Sequence, residues 1–176
     1  HQIITVAQPY SNHNGGHIQL DQQGMLLVGF GDGGWRNDPH SHGQNKASAL
    51  GAILRLNPEQ PDQIPADNPF INDGQARPDI WVYGLRNPWK FDILPDGSLI
   101  VADVGQNAIE EVSILKAGDN AGWKIKEGTE CFEDSGCKSS GLVDPVWEVR
   151  HPIAQSITGG VWFKSGEELR YVCGDF

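Results

Sequence analysis

Apolar residues along this chain come in short runs, not at helical spacing. Segments 25–30, 80–83, 98–102 and 156–164 are four to nine residues long, β-branched or aromatic in character, and bounded by Gly, Pro, Asn or Asp. That is the pattern of strands. Gln22-Gln23-Gly24 and Pro95-Asp96-Gly97 carry tight-turn chemistry between flanking strands. The best helical stretch, 47–56, has about one helical turn before Ile53-Leu54-Arg55-Leu56 becomes strand-like. The pattern predicts an all-β fold.

The runs also repeat. Gly24-Met25-Leu26-Leu27-Val28-Gly29-Phe30-Gly31-Asp32 is similar in form to Gly97-Ser98-Leu99-Ile100-Val101-Ala102-Asp103 and to Leu169-Arg170-Tyr171-Val172-Cys173-Gly174-Asp175. Each is an apolar strand closing on a small residue and then Asp, and the aspartates lie 71 and 72 residues apart. Regular spacing of that kind suggests stacked β units arranged radially as a β-propeller. Strand-then-Asp is also a common local pattern, so chance spacing stays open at this point. Three such units make only part of a ring and leave two sheet faces open at the break.

Composition narrows the class. The chain has 176 residues and a formal net charge of −10, which disfavours a nucleic-acid partner, because phosphates are neutralised by a basic surface. No apolar run approaches the roughly 18 residues of a membrane helix. With 22 Gly and 11 Pro, the composition is that of a turn-rich globular chain. The first residue is His1, no signal-like segment follows it, and 171–176 read as a strand cut off at its end, as processing or truncation would leave it. Cys131 and Cys137 lack CxxC spacing and a nearby histidine, so they read as a small-loop disulfide, not a zinc site. Such a bond implies an oxidising compartment. Cys173 reads as a buried strand residue.

Three segments carry candidate chemistry. His13 sits in the polar, glycine-rich loop 11–17 ahead of the first strand run, where an imidazole is a general-base candidate, and Asp32 could return to orient it. Read alone, such a histidine is more often a solvated loop residue than a base, and His17, His40 and His42 carry less weight. Asp38-Pro39-His40-Ser41-His42 has metal-ligand residue types but reads as well as a polar loop. Arg86 and Asn87, held by Pro88, suit a planar, anionic, carbonyl-rich ligand; an arginine paired with a surface acid is the alternative. Segment 103–111 offers acids, amides and backbone carbonyls around Gly105, which is oxygen-donor chemistry suited to calcium and not at EF-hand spacing. Gly31-Asp32-Gly33-Gly34 lacks the Lys-Ser/Thr of a phosphate loop.

Read in order, these motifs resemble one family. Asn12-His13-Asn14-Gly15-Gly16, Gly29-Phe30-Gly31-Asp32-Gly33-Gly34, Ile64-Pro65-Ala66-Asp67-Asn68-Pro69-Phe70, Gly84-Leu85-Arg86-Asn87-Pro88-Trp89, Asp103-Val104-Gly105-Gln106-Asn107 with Glu110-Glu111, Asn120-Ala121-Gly122-Trp123 and Ser156-Ile157-Thr158-Gly159-Gly160 are similar to the soluble quinoprotein (PQQ-dependent) aldose, glucose and sorbosone dehydrogenases. The resemblance implies a six-bladed β-propeller, of which residues 1–176 supply about three blades as part of a single domain. It implies oxidation of an aldose sugar at C1 to the lactone, with hydride passing to pyrroloquinoline quinone (PQQ) and onward to an external electron acceptor, in a periplasmic or secreted protein. His13 matches the catalytic base and Asp32 the acid that orients it; Arg86 and Asn87 match side chains against the quinone. Gly105 and Gln106 match main-chain carbonyl ligands of the cofactor's calcium (Ca2+), with Gln106 standing where the family often has proline, and Glu111 matches an acid tied to a second, structural calcium. Further quinone contacts in the family lie beyond Phe176, so a homodimer completing the propeller is one expectation. Two others are a non-catalytic binding propeller similar to the Hedgehog-interacting proteins, which share a Cys pair after a Gly-Trp segment, and an inactive calcium-binding fragment.

Overall fold

The computed structural model describes residues 2–176, in which the only helical element is a single 3-10 turn, His42–Gln44, and twelve strands carry the rest. β1 (Ile18–Leu20), β2 (Leu26–Phe30), β3 (Ala52–Leu56) and β4 (Ile80–Tyr83) form an antiparallel meander in that order. A second four-stranded sheet follows from β5 (Pro88–Ile93), β6 (Leu99–Asp103), β7 (Ile109–Leu115) and, beyond the small hairpin of β8 (Lys126–Glu127) and β9 (Glu130–Cys131), β10 (Trp147–Arg150). β11 (Ile157–Ser165) and β12 (Glu168–Asp175) close the chain as a hairpin.

The repeat now has a structural meaning. β2, β6 and β12 are the second strands of three successive units, and Asp32, Asp103 and Asp175 stand at the same end of each. The strand runs are continuously apolar because both faces of the first two sheets are covered. Leu27 and Ile53 point into one buried cluster with Leu85, Phe91, Leu99 and Val101, whereas their neighbours Val28, Ala52, Leu54 and Leu56 point into another. In β6 the residues between, Ile100 and Ala102, face a third cluster built with Ile157 and flanked by Trp162 and Tyr171. Side chains alternate across a strand, so each sheet is a wall between two cores. Burying a residue such as Phe91 or Leu99, both 0% exposed, stabilises by about 1.5–3 kcal/mol.

The structure departs from the sequence reading in three places. Segment 47–51 is a run of turns, not a helical turn, before β3. β5 starts at Pro88, where a missing backbone donor is tolerated at the first position of a strand. Glu110 and Glu111 lie inside the buried strand β7, not in an open loop. Arg55 is likewise buried in β3, satisfied by Asp21 and Asp67 at 2.7 Å each, by Asn68 at 3.1 Å, and by the Trp81 ring 4.8 Å away. The Cys131–Cys137 disulfide is formed, and Cys173 is a half-buried residue of β12. Among the described residues no helix is long and apolar enough to cross a membrane.

Candidate active site

The aspartate ends of the second strands are where the loops converge. Asp103 accepts the backbone N–H of Arg86 (2.8 Å) and of Asn87 (2.6 Å), the two residues that lead into β5. Asp175 does the same for Gln155 (2.9 Å) and Ser156 (2.7 Å) ahead of β11. In both units the carboxylate satisfies the donors of the segment entering the first strand. Asp32 is employed differently. Its Oδ1 accepts from His13 Nδ1 at 2.7 Å and from the Gly34 N–H at 2.9 Å, and its Oδ2 accepts from Trp123 Nε1 at 2.8 Å. One aspartate of the repeat has thus exchanged a backbone pin for a histidine.

Local geometry forces that pairing. His13 has a backbone φ of 53°, a left-handed conformation uncommon outside glycine. Gly31 packs against the carbonyls of both His13 and Arg86, so closely that a Cβ at Gly31 would collide with the His13 oxygen. The Asp32 N–H donates to the Arg86 carbonyl at 2.8 Å, tying the two sheets together at this point. The Asp32 side chain is fully buried and that of His13 is 10% exposed. A carboxylate only accepts, so the neutral imidazole carries its proton on Nδ1 and its free lone pair on Nε2.

Arg86 and Asn87 lie across the same cleft, a space of about 580 Å³ lined also by Ser11, Asn12, Trp89 and Gly105. Arg86 Nη1 donates to the carbonyls of Val104 (2.9 Å) and Gly105 (2.7 Å), and its guanidinium lies 5.5 Å from the Trp123 ring. Burial lowers the pKa of Arg86, and Asp32, Asp103, Glu127 and Glu110 oppose that shift. Arg86 Nε and Asn87 Oδ1 are buried with no hydrogen-bond partner. The unpaired donor on the Arg86 cation fits a planar anionic ligand with carbonyl oxygens, which is the chemistry of PQQ, and the unpaired Asn87 acceptor fits an N–H or O–H of a ligand in the same cleft.

The calcium expectation fares differently. The Gly105 carbonyl accepts from the Arg86 guanidinium at 2.7 Å. The amides of Gln106, Asn107 and Ala108 converge at 2.6–3.1 Å on Glu127 Oε1, which fills the loop from behind. Glu111 sits in register between Asp103 and Glu148. Burial raises its pKa well above the usual carboxylate range, and Asp103 raises it further; burial likewise pushes Asp103 up to about 7. Glu110 is spoken for by His151 Nε2 (2.8 Å) and the Ile157 N–H (2.9 Å). Among the described residues no group of three or more His, Cys, Asp or Glu side chains is arranged to hold a metal ion. The residues present fit the quinone; the calcium ligands that the resemblance implies at Gly105 and Gln106 are main-chain carbonyls, outside any such side-chain group.

His17, His40 and His42 make other contacts. Asp38 binds the backbone N–H groups of His42 and Gly43, His42 Nδ1 bonds the Asp32 carbonyl at 2.7 Å, and the ring of His40 lies 5.8 Å from that of Tyr10. His17 packs edge-on against Phe91. A second cleft of about 620 Å³ lies at the other end of the strands, between the turns at 21–24 and 95–97. It contains no histidine, and Asp21 and Asp67 there are engaged by Arg55. Sequence reading missed Trp123 and Glu127 as site residues, because each acts on a group distant along the chain.

The family model described as Glucose / Sorbosone dehydrogenase matches residues 1–175. The HIPL1 protein of Arabidopsis thaliana is 34% identical over 207 residues, covering 99% of this chain and 30% of that protein. The aldose sugar dehydrogenase YliI of Escherichia coli is 33% identical over 115 residues, 65% of this chain and 29% of that protein. The structure of the PQQ-bound aldose sugar dehydrogenase from Streptomyces coelicolor aligns with a TM-score of 0.64 at 26% identity, over 90% of this chain and 48% of that one. The Hedgehog-interacting proteins of mouse and human also match, at 28% identity over 50% of the chain. The chain therefore spans under a third of these curated relatives and about half of the matched structure. Its two sheets and hairpin are about three blades of a β-propeller. With the family matched over nearly its whole length, on a fold shared with sugar dehydrogenase structures, the chain belongs to the glucose/sorbosone dehydrogenase family.

Proposed function

We propose that this chain carries the catalytic half of a site that oxidises an aldose at C1 to the lactone, with PQQ as the resident oxidant. The observation that carries the reading is His13, held by Asp32 at 2.7 Å, sharing one cleft with the partly unsatisfied Arg86 and Asn87. His13 Nε2 takes the proton of the C1 hydroxyl while Asp32 holds Nδ1–H and balances the charge that develops on the ring. The bound quinone supplies hydride acceptance, and an external electron acceptor restores it. Arg86 presents a fixed positive charge, preorganised by two carbonyls, toward an anionic ligand. Asn87 offers a carbonyl acceptor beside it. The disulfide supports a secreted or periplasmic setting.

A binding propeller is the competing reading, favoured by the match to Hedgehog-interacting proteins. Protein contact alone gives no reason for a buried Asp to orient a histidine beside an unsatisfied arginine. Dye-linked aldose oxidation in the presence of PQQ separates the two. The His13→Ala variant is expected to lose about 10²–10⁴-fold in kcat with quinone binding kept; turnover equal to wild type removes His13 from the mechanism.

A further inference from the structure

We propose that Trp123 is a positioning residue that fixes the tautomer of His13 through Asp32. Trp123 is 3% exposed, and its Nε1–H donates to Asp32 Oδ2 at 2.8 Å across 91 residues of sequence. An indole N–H can only donate. It therefore locks Oδ2 as an acceptor and holds the carboxylate in the plane that leaves Oδ1 for His13 Nδ1. A buried carboxylate in a low-dielectric site depends on each of its donors, and Asp32 has three: the His13 ring, the Gly34 amide and this indole.

The indole itself is held from several sides. The Trp123 N–H donates to the Gly84 carbonyl at 2.9 Å, and its carbonyl accepts from Gln44 Nε2 at 2.6 Å. Its ring lies 4.8 Å from Phe132, the neighbour of disulfide-bonded Cys131, and faces the Arg86 guanidinium on the cleft side. Gly43 packs beneath it; a Cβ there would come to 2.5 Å from the Trp123 carbonyl and 3.0 Å from the ring. One rigid side chain thus touches the acid that orients the base and the arginine that faces the ligand. Placement of the tautomer follows from geometry alone, while its catalytic consequence rests on the reading of His13 as the base.

The test is nitrogen-15 NMR of the imidazoles, with kinetics alongside. In wild type the His13 nitrogens are expected to report a single Nδ1–H tautomer. In Trp123→Phe, which keeps an aromatic ring and removes the donor, a mixture with Nε2–H is expected, with kcat reduced about tenfold or more and KM within about twofold. Unchanged His13 nitrogen shifts in folded Trp123→Phe overturn the proposal and leave Trp123 a packing residue. A mixed tautomer with unchanged kcat upholds the positioning and overturns His13 as the base. Should Trp123→Phe not fold, Asp32→Asn is read instead from the indole N–H signals of the six tryptophans. One indole proton must shift and exchange faster; no response from any of them overturns the Trp123–Asp32 contact.

Discussion

At the scale of single residues, the site depends on close approaches that no side chain could share. Gly31 touches the His13 and Arg86 carbonyls, and both are backbone atoms that cannot swing aside. Gly31→Ala is expected to cost about 1–3 kcal/mol and to separate His13 from Asp32, seen as a lower urea midpoint and loss of turnover together. His17 gives a pH signature. Burial, then Lys90, lowers its pKa from the free value, so the unfolded chain binds a proton that the folded one does not. Stability therefore falls as pH drops through about 6.5, and His17→Leu should flatten the urea midpoint between about pH 7 and pH 5. An equal pH slope in both proteins removes His17 as the cause. His13, Asp32, Arg86 and Asn87 stood out as candidates because each lies within two residues of glycine or proline in a short loop, and the fold brings them together. Trp123 did not stand out, since its partner Asp32 is 91 residues away, and only the fold brings them together.

Strands and hairpins show the same division. The four apolar runs named from sequence became β2, β4, β6 and β11 nearly residue for residue, because their ends carry turn residues and, in β2, β4 and β6, both faces are largely covered. β1 is only three residues long, β5 opens on proline, and β7 hides two glutamates; each lacks the apolar signature, and tertiary packing makes the strand. Charge in β7 is tolerated because Glu110 accepts from the His151 ring and from the backbone of Gly105 and Ile157. The β8–β9 hairpin is the element that links the disulfide to the site, since Glu127 holds the 106–109 loop and Phe132 packs on Trp123. Replacing Cys131 and Cys137 with serine is expected to lower stability by about 2 kcal/mol, the loop-closure value for so short a loop, and to change tryptophan fluorescence as the packing on Trp123 loosens. Stability and fluorescence identical to wild type would show the hairpin to be independent of the bond.

Across the whole molecule, the 71–72-residue repeat organises both fold and chemistry. Asp103 and Asp175 pin the backbone entering β5 and β11, and the equivalent Asp32 instead holds a histidine. A propeller of similar blades thereby gains an asymmetric centre on one rim with one substitution of partner. The repeat was visible from sequence, as was the family; the calcium ligands that the resemblance implies are main-chain carbonyls at Gly105 and Gln106, and the first of these accepts from Arg86. We propose that this rim holds PQQ and that His13 drives its reduction by an aldose. The most direct measurement is anaerobic rapid mixing of the PQQ-loaded protein with aldose, following the quinone absorbance. Sugar-dependent bleaching is expected in wild type, and bleaching slowed about 10²–10⁴-fold in His13→Ala, with quinone still bound. Absence of any quinone spectral change on titration, or equal bleaching rates in the two proteins, would contradict it.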